Sequence, residues 1–255
     1  FTGGEPLLFL DDLVQMIDYA GRAGIEYIRT GTNGYLFSNP QRRNFVSSVT
    51  KVVHALAETP LRNFWISIDS AVPEIHERMR GFPGVISGIE KSLPIFHEFG
   101  IYPSVNLGIN RNMSPNMAVM NLSKFENDKE LIQDVYRTYK TAFKMFFRLI
   151  INMGFTMVNM CYPMSVVYEK EASAMNPVYA ATSPGDIVRF NTTEKKLLFT
   201  ALLKTILEFR SKIRIFTPLS SLYALIMQLT DEPTAAYPCR GGIDFFFIGS
   251  RDGNT

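Results

Sequence analysis

The stretch Phe64-Trp65-Ile66-Ser67-Ile68-Asp69 decides the fold of this 255-residue chain. Side chains alternate along a strand, so Ser67 and Asp69 share one face while the isoleucines between them share the other. Helical patterns flank this strand at residues 44–58 and 84–99. A strand enclosed by helices in the sequence is typical of βαβ units, which place their strands in parallel.

The same pattern repeats on both sides of this stretch. Further strands are predicted at residues 25–30, 101–109, 155–161 and 213–216, and further helices at residues 10–23, 123–153 and 193–212. Pro94 is expected to kink or divide the helix that contains it. The alternation predicts an α/β fold whose parallel sheet either stays open or curls into a barrel. In both arrangements ligands bind at the carboxyl ends of the strands.

Composition excludes several classes of protein. The 26 Lys and Arg against 24 Asp and Glu leave a net charge of +2, which gives no reason to expect a nucleic acid partner. The most apolar region, residues 143–160, is interrupted by Lys144 and Arg148, so no membrane span is expected. Two cysteines exclude a disulfide framework and an all-cysteine metal site within this chain alone. The first residue is Phe1, not Met, and the last lies in a turn-like segment, which predicts a fragment of a longer protein.

The first candidate binding residues surround a diglycine turn. Gly3 and Gly4 would let a ligand approach the bare backbone, and Glu5 could accept hydrogen bonds from an ammonium group. Thr32 and Asn33 offer a hydroxyl and an amide for sugar or base contacts at the next strand end. The alternatives are a tight strand-to-helix turn with a solvated Glu5 and a simple Asn-Gly turn.

A second group of candidates follows the strand at residues 64–69. Ser67 and Asp69 form a polar pair that is costly to bury unless it is satisfied, which favours a site. Arg80 could hold a carboxylate in a bidentate grip, or it could simply face solvent on a surface helix. Asn106 and Asn159 are polar residues near other strand ends, where buried amides are often structural.

Other reactive residues show no recognisable pattern. His54, His76 and His97 fall in helical segments without metal-ligand spacing, so ordinary surface or core positions are expected. Cys161 is expected to be a buried strand thiol. The sequence contains no P-loop, no Gly-x-Gly-x-x-Gly after a strand and no nucleophile elbow.

The candidate motifs taken in order resemble the radical S-adenosylmethionine (SAM) superfamily. The motifs are Phe1-Thr2-Gly3-Gly4-Glu5-Pro6, Thr32-Asn33-Gly34, Ile66-Ser67-Ile68-Asp69 and Arg80-Gly81. The resemblance extends from residue 1 to about residue 218. It implies a partial TIM-like (β/α)6 barrel of parallel strands over residues 1–230, without the first β/α unit.

The resemblance also implies an enzymatic activity. Members of the family cleave SAM reductively at a 4Fe-4S cluster, and the resulting 5′-deoxyadenosyl radical removes hydrogen from a substrate. The methionine amino group of SAM would be held by the diglycine turn and Glu5, and its ribose or carboxylate by Ser67 and Arg80. The implied SAM-binding set comprises Gly3, Gly4, Glu5, Thr32, Asn33, Ser67, Asp69, Arg80 and Asn106.

This chain departs from the family pattern at the cluster ligands. The family binds its cluster through Cys-x3-Cys-x2-Cys, which precedes the Gly-Gly-Glu segment and is expected before Phe1. The chain as given is therefore expected to be inactive, because an iron–sulfur cluster needs its thiolate ligands. A reductant such as flavodoxin or ferredoxin is the implied partner beside SAM and a substrate of unassigned class. An oxygen-sensitive cluster without an export signal implies a cytoplasmic location.

The C-terminal residues resemble the start of a SPASM or twitch extension, which carries auxiliary iron–sulfur clusters. The segment Tyr237-Pro238-Cys239-Arg240-Gly241-Gly242 is followed by an aromatic strand, and 13 residues stand between Cys239 and Gly253. This spacing fits the family pattern Cys-x9-15-Gly-x4-Cys. Cys239 is therefore a candidate ligand of an auxiliary cluster. Residues 231–255 would form the start of the extension. The alternative is a free cysteine before a β-hairpin.

Two other functions remain open from the sequence. The chain could be a degenerate barrel that binds SAM or a related ligand without a cluster and without catalysis. It could also be an unrelated TIM-type enzyme acting on a phosphorylated metabolite. That enzyme would need a Gly-rich phosphate loop late in the barrel, and the sequence shows none.

Overall fold

The described residues form a sheet of five parallel strands in the order of the sequence. A computed structural model describes residues 1–118, 129–162 and 186–230 of the chain. Within these residues the strands pair in the order β1-β2-β3-β4-β5, and every pair is parallel. The strands are β1 (Ile28–Thr32), β2 (Leu61–Ser67), β3 (Ser104–Gly108), β4 (Met157–Cys161) and β5 (Arg214–Ile215). The predicted α/β class with a parallel sheet is confirmed.

Helices precede, connect and follow the strands. They are α1 (Leu10–Arg22), α2 (Phe45–Ala57), α3 (Pro73–Arg80), α4 (Val85–Glu98), α5 (Pro115–Ala118), α6 (Lys129–Asn152), α7 (Thr192–Phe209) and α8 (Leu219–Gln228). A doubly wound sheet reverses its strand order at a switch point, whereas this order never reverses. Right-handed crossovers in one direction put their helices on one side of the sheet. This order is compatible with a partial barrel.

The two faces of the sheet differ sharply. Phe64, Ile66, Val105, Leu107 and Val158 point toward the helices and are at most 1% exposed. We call the opposite side the polar face. By strand alternation and register it carries Arg29, Gly31, Asn63, Trp65, Ser67, Ser104, Asn106, Met157, Asn159 and Cys161. Most of these side chains are only half-buried, so the polar face is the side of the sheet that a ligand can reach.

Two local expectations need correction. β1 begins at Ile28, three residues later than predicted, because the loop at Ile25 is still bonded to the end of α1 through Ala20. Pro94 does not divide α4, which continues from Val85 to Glu98. Its lost backbone hydrogen bond is offset by neighbours on the buried side of the helix, including the fully buried Phe96.

Some sequence predictions lie outside the described residues. The proposed extension at residues 231–255, including Cys239, is one of these, and the first part of the helix predicted at residues 123–153 is another. The division into a core and an extension therefore stays a prediction. None of the described helices combines the length and the apolar character that crossing a lipid bilayer requires.

Candidate functional site

The carboxyl end of β1 is joined to the diglycine turn by Glu5. Glu5 Oε1 accepts the backbone N–H of Leu7 at 3.2 Å, which caps the short helical turn Pro6–Phe9. Glu5 Oε2 accepts the Thr32 hydroxyl at 2.9 Å and the Asn33 backbone N–H at 2.7 Å. Three predicted site residues thus meet in one hydrogen-bonded group, in which the carboxylate orders the turn after β1.

The diglycine turn lies beside the same strand end. Gly3 and Gly4 adopt φ values of +105° and +54°, which favour glycine, although a Cβ on either would meet nothing within 4 Å. Both glycines are exposed. The backbone nitrogen of Phe1 donates to the Arg29 carbonyl at 2.6 Å, so residues 1–5 run along the edge of β1 that faces away from β2. The turn therefore exposes its backbone at the carboxyl edge of the sheet.

Asp69 and Arg80 form an ion pair after β2. Arg80 Nη2 lies 2.6 Å from Asp69 Oδ2, and their side chains are 26% and 13% exposed. The carboxylate that Arg80 holds is therefore one from its own chain. Burial raises the pKa of Asp69, while the charge and hydrogen bond of Arg80 and the Gly108 amide oppose that rise.

His76 is a site residue that sequence reasoning missed. It is fully buried, and its Nδ1 accepts the backbone N–H of Asp69 at 3.1 Å. Its Nε2 has no hydrogen-bond partner among the described residues. Burial and the nearby charge of Arg80 lower the pKa of His76 to about 3, so the ring stays neutral. The available signal was spacing, because His76 and Arg80 are four residues apart and share one face of α3.

Asn110 connects the loops that follow β2 and β3, and sequence reasoning also missed it. Its Nδ2 donates to the carbonyl oxygens of Asp69 at 2.8 Å and Gly108 at 2.7 Å. Its Oδ1 accepts the backbone N–H of Asn112 at 2.7 Å. The backbone of Asp69 is therefore held on both sides, by His76 at its nitrogen and by Asn110 at its oxygen.

A row of polar side chains crosses the middle of the polar face. Ser67, Asn106 and Asn159 are register partners on β2, β3 and β4. Asn106 Oδ1 accepts Asn159 Nδ2 at 2.9 Å and the Cys161 thiol at 3.2 Å. Cys161 is half-buried, whereas a buried thiol was expected. Burial raises the pKa of its thiol, and its hydrogen bond to Asn106 opposes that rise.

A separate ion pair braces the same edge of the sheet. Arg111, in the loop after β3, places Nη2 at 2.8 Å from both carboxylate oxygens of Glu194 at the start of α7. Glu194 also completes a capping box with Asn191, and the Tyr139 hydroxyl donates to it at 3.4 Å. Because both partners are committed to joining two elements, this pair has a structural role.

The described residues also form a mostly apolar pocket of about 540 Å³ at the carboxyl end of β4. It lies between β4, α7 and α8, and it is lined by Met160, Cys161, Tyr162, Lys195, Phe199, Leu225, Gln228 and Leu229. Cys161 contacts both this pocket and the amide row, so the two are adjacent.

The polar groups at the strand ends are a carboxylate, hydroxyls, amides and exposed backbone, which can hydrogen-bond a polar small molecule. In residues 1–118, 129–162 and 186–230 no three His, Cys, Asp or Glu side chains gather in a group that could hold a metal. These residues therefore do not supply cluster ligands.

Comparison with known proteins adds no further identification. The chain matches no protein-family model, and it matches no curated protein.

Proposed function

We propose that this chain is the SAM-binding part of a radical SAM enzyme core. The observation that carries the proposal is the hydrogen-bonded contact of Glu5 with Thr32 and Asn33 at the carboxyl end of β1. Ser67 ends the adjacent strand β2, and Asp69 follows it. Carboxyl ends of adjacent parallel strands are where α/β folds bind ligands, and the motifs that carry the family resemblance meet there.

Each group has a separate part in holding SAM. The exposed backbone of Gly3 and Gly4 would face the methionine end. Glu5 Oε1, which among the described residues accepts the Leu7 amide alone, would take a hydrogen bond from the SAM ammonium. The hydroxyl of Ser67 and the amide of Asn106 would bind the ribose. Arg80 would act mainly by keeping the Asp69 carboxylate in place, since that ion pair already occupies its Nη2.

The protein's share of the reaction is binding and orientation. When a 4Fe-4S cluster is bound, it would supply the electron that cleaves SAM and starts hydrogen abstraction from a substrate. We propose that thiolates outside the described residues bind that cluster. Cys239, which also lies outside them, would bind an auxiliary cluster. The part of this chain is to hold SAM at the sheet edge and exclude water from its adenosyl carbon.

SAM binding by the chain itself tests the first half of the proposal. Trp65 is the single tryptophan and lies on the polar face, so its fluorescence reports ligand binding directly. Calorimetry and fluorescence should both show saturable binding of SAM and S-adenosylhomocysteine. Asn106→Ala should weaken binding by about tenfold, which corresponds to about 1.4 kcal/mol, whereas Ser87→Ala on the exposed side of α4 should not. A folded chain that binds neither nucleotide contradicts the proposal.

The catalytic half requires the chain together with its flanking sequence. Anaerobic reconstitution with iron and sulfide should yield a protein that converts SAM to 5′-deoxyadenosine in the presence of a reductant. A fully loaded cluster without this product would refute the enzymatic proposal. A full-length protein that takes up no cluster on reconstitution but still binds SAM would instead favour the alternative function, a barrel that binds SAM without catalysis.

A further inference from the structure

Trp65 forms a flat aromatic surface on the polar face. Gly31 is its register partner on β1, and a Cβ on Gly31 would overlap the indole ring. The ring can therefore lie against the β1 backbone only because residue 31 is glycine. Trp65 is half-buried, so part of the indole remains accessible from the side of the sheet that faces away from the helices.

Arg29 is held over this ring, and its terminal nitrogens have no partner in the part of the chain that the structure describes. Its guanidinium carbon lies 5.2 Å from the centre of the Trp65 ring, and its Nε donates to Asn63 Oδ1 at 3.2 Å. Asn63 is in turn bonded to the Ser104 hydroxyl. Among the described residues, no hydrogen-bond acceptor or carboxylate contacts Nη1 or Nη2 of Arg29. The guanidinium is thus oriented by its inner nitrogen while its fork is available to a ligand.

Charges around this position favour an anion. Asp69 is neutralised by Arg80, and the only other cation that the register places on this face, among the described residues, is the exposed Arg214 on β5. The charge of Arg29 also acts on the Cys161 thiol of β4, where it opposes the larger effect of burial on the thiol pKa. The guanidinium therefore creates a positive potential across the polar face.

We propose that Arg29 and Trp65 form a subsite that binds a carboxylate attached to a planar apolar group of the substrate. The fork of Arg29 pairs with the carboxylate, and the indole of Trp65 stacks on the planar group. One guanidinium balances one carboxylate, whereas a phosphate dianion would need a second cation. This inference rests on the proposed function, because it names the substrate class of that same face.

The carboxylate of SAM is the competing occupant of Arg29. Arg29 precedes Asn33 by four residues, so their backbones are about 13 Å apart along the strand. The Arg29 side chain extends over Trp65, whose register partner is Gly31. The SAM affinity of Arg29 variants therefore decides between the carboxylate of SAM and that of a second molecule, the substrate.

Fluorescence of Trp65 and calorimetry test this inference with three probes at constant ionic strength. Benzoate should bind saturably and change the emission of Trp65. Benzamide, which has the same shape without charge, should bind at least about tenfold more weakly. Inorganic phosphate should also bind at least about tenfold more weakly. Equal binding of benzoate and benzamide, or of benzoate and phosphate, would overturn the proposal.

Variants separate this subsite from the SAM site. Arg29→Gln should weaken benzoate binding by at least about tenfold, while Arg62→Gln, which removes an exposed arginine three residues before Trp65, should not. Arg29→Lys keeps the charge without the fork and should fall between the two. It also serves as the test if Arg29→Gln fails to fold.

SAM binding by the same variants distinguishes the two proposals. Arg29→Gln should keep the SAM affinity of the unaltered chain. A chain that binds SAM but not benzoate would overturn the subsite and leave the proposed function standing. A chain that binds benzoate through Arg29 but does not bind SAM would support the subsite and refute the proposed function.

Discussion

His76 Nδ1 accepts the backbone N–H of Asp69 at 3.1 Å from a fully buried position on α3. One turn later on the same helix, Arg80 holds the carboxylate of Asp69 at 2.6 Å. α3 therefore positions both the main chain and the side chain of the residue that follows β2. Neither helical residue has to touch a ligand to determine the geometry of the candidate site.

The buried neutral state of His76 predicts acid sensitivity. Its pKa is about 3 in the folded chain and about 6.5 when unfolded, so the unfolded state takes up a proton first as the pH falls. The associated stability is fully present above pH 6.5 and is lost between about pH 6.5 and 3, at up to about 1.4 kcal/mol per pH unit. His76→Asn should remove this slope in urea unfolding measured across that range.

The titration of Asp69 also changes stability with pH and must be separated from that of His76. The raised pKa of Asp69 acts with the opposite sign, because the folded chain then takes up that proton first and gains stability as the pH falls. Comparing each variant with the unaltered chain at the same pH isolates the effect of His76. An unchanged pH slope in His76→Asn would show that the ring is not held neutral.

The Asp69–Arg80 contact should appear as a measurable coupling energy. Both side chains are mostly buried, so the pair is less screened than a surface ion pair. A double-mutant cycle with Asp69→Asn and Arg80→Gln should give a coupling of about 1–3 kcal/mol in the free energy of unfolding. Additive effects of the two substitutions would mean that the contact contributes nothing to stability.

Gly88 should not tolerate even one added methyl group. A Cβ there would overlap the carbonyl oxygen of Phe37, which is main-chain and cannot rotate away. Alanine gains about 1 kcal/mol of helix propensity, but the overlap costs about 3 kcal/mol or more, so a net loss of about 2 kcal/mol is expected. Thermal unfolding of Gly88→Ala should show this loss, with Ser87→Ala, on the exposed side of α4, changing stability by less than about 0.5 kcal/mol.

The carboxylate of Glu5 should protect the turn after β1. Glu5→Ala removes both acceptor oxygens, so the bonds from Leu7, Thr32 and Asn33 are all lost. We expect faster hydrogen exchange at the Asn33 amide and a loss of about 1–2 kcal/mol in unfolding free energy. Glu26→Ala, at an exposed position in the preceding loop, is the control. Unaltered exchange at Asn33 would contradict the assigned contact.

Glu194 should be among the costliest carboxylates to neutralise. Its side chain is only 4% exposed, and Glu194→Gln would leave the charge of Arg111 buried without its counter-ion. The expected loss is about 3–5 kcal/mol in chemical unfolding. Tyr139→Phe removes only one long hydrogen bond to the same carboxylate and should cost about 1 kcal/mol. Equal costs for the two variants would refute the ion pair as the main contributor.

Much of the fold follows from local sequence. Glycine and proline positions and the alternation at residues 64–69 predict the parallel α/β architecture, and the observed α2 and α4 lie within one residue of their predicted ranges. The predicted boundaries of β1 and β2 were wrong by two or three residues. For β1 the reason is that hydrogen bonds at the end of α1 extend the preceding loop. The limits of a strand depend on which neighbouring backbone it can hydrogen-bond to. The sequence of one segment does not identify that neighbour.

Sequence alone determined which side chains stand at strand ends, because the period of two along a strand is a local property that each segment carries by itself. The alternation marked Ser67 and Asp69 as candidates, and the glycine-containing turns marked Glu5 and Asn33. Only the tertiary structure decided what these groups contact: Glu5 holds the turn after β1, Arg80 is committed to Asp69, and buried His76 fixes the Asp69 backbone. Such pairings arise when distant segments pack together, and packing is a property of the whole chain.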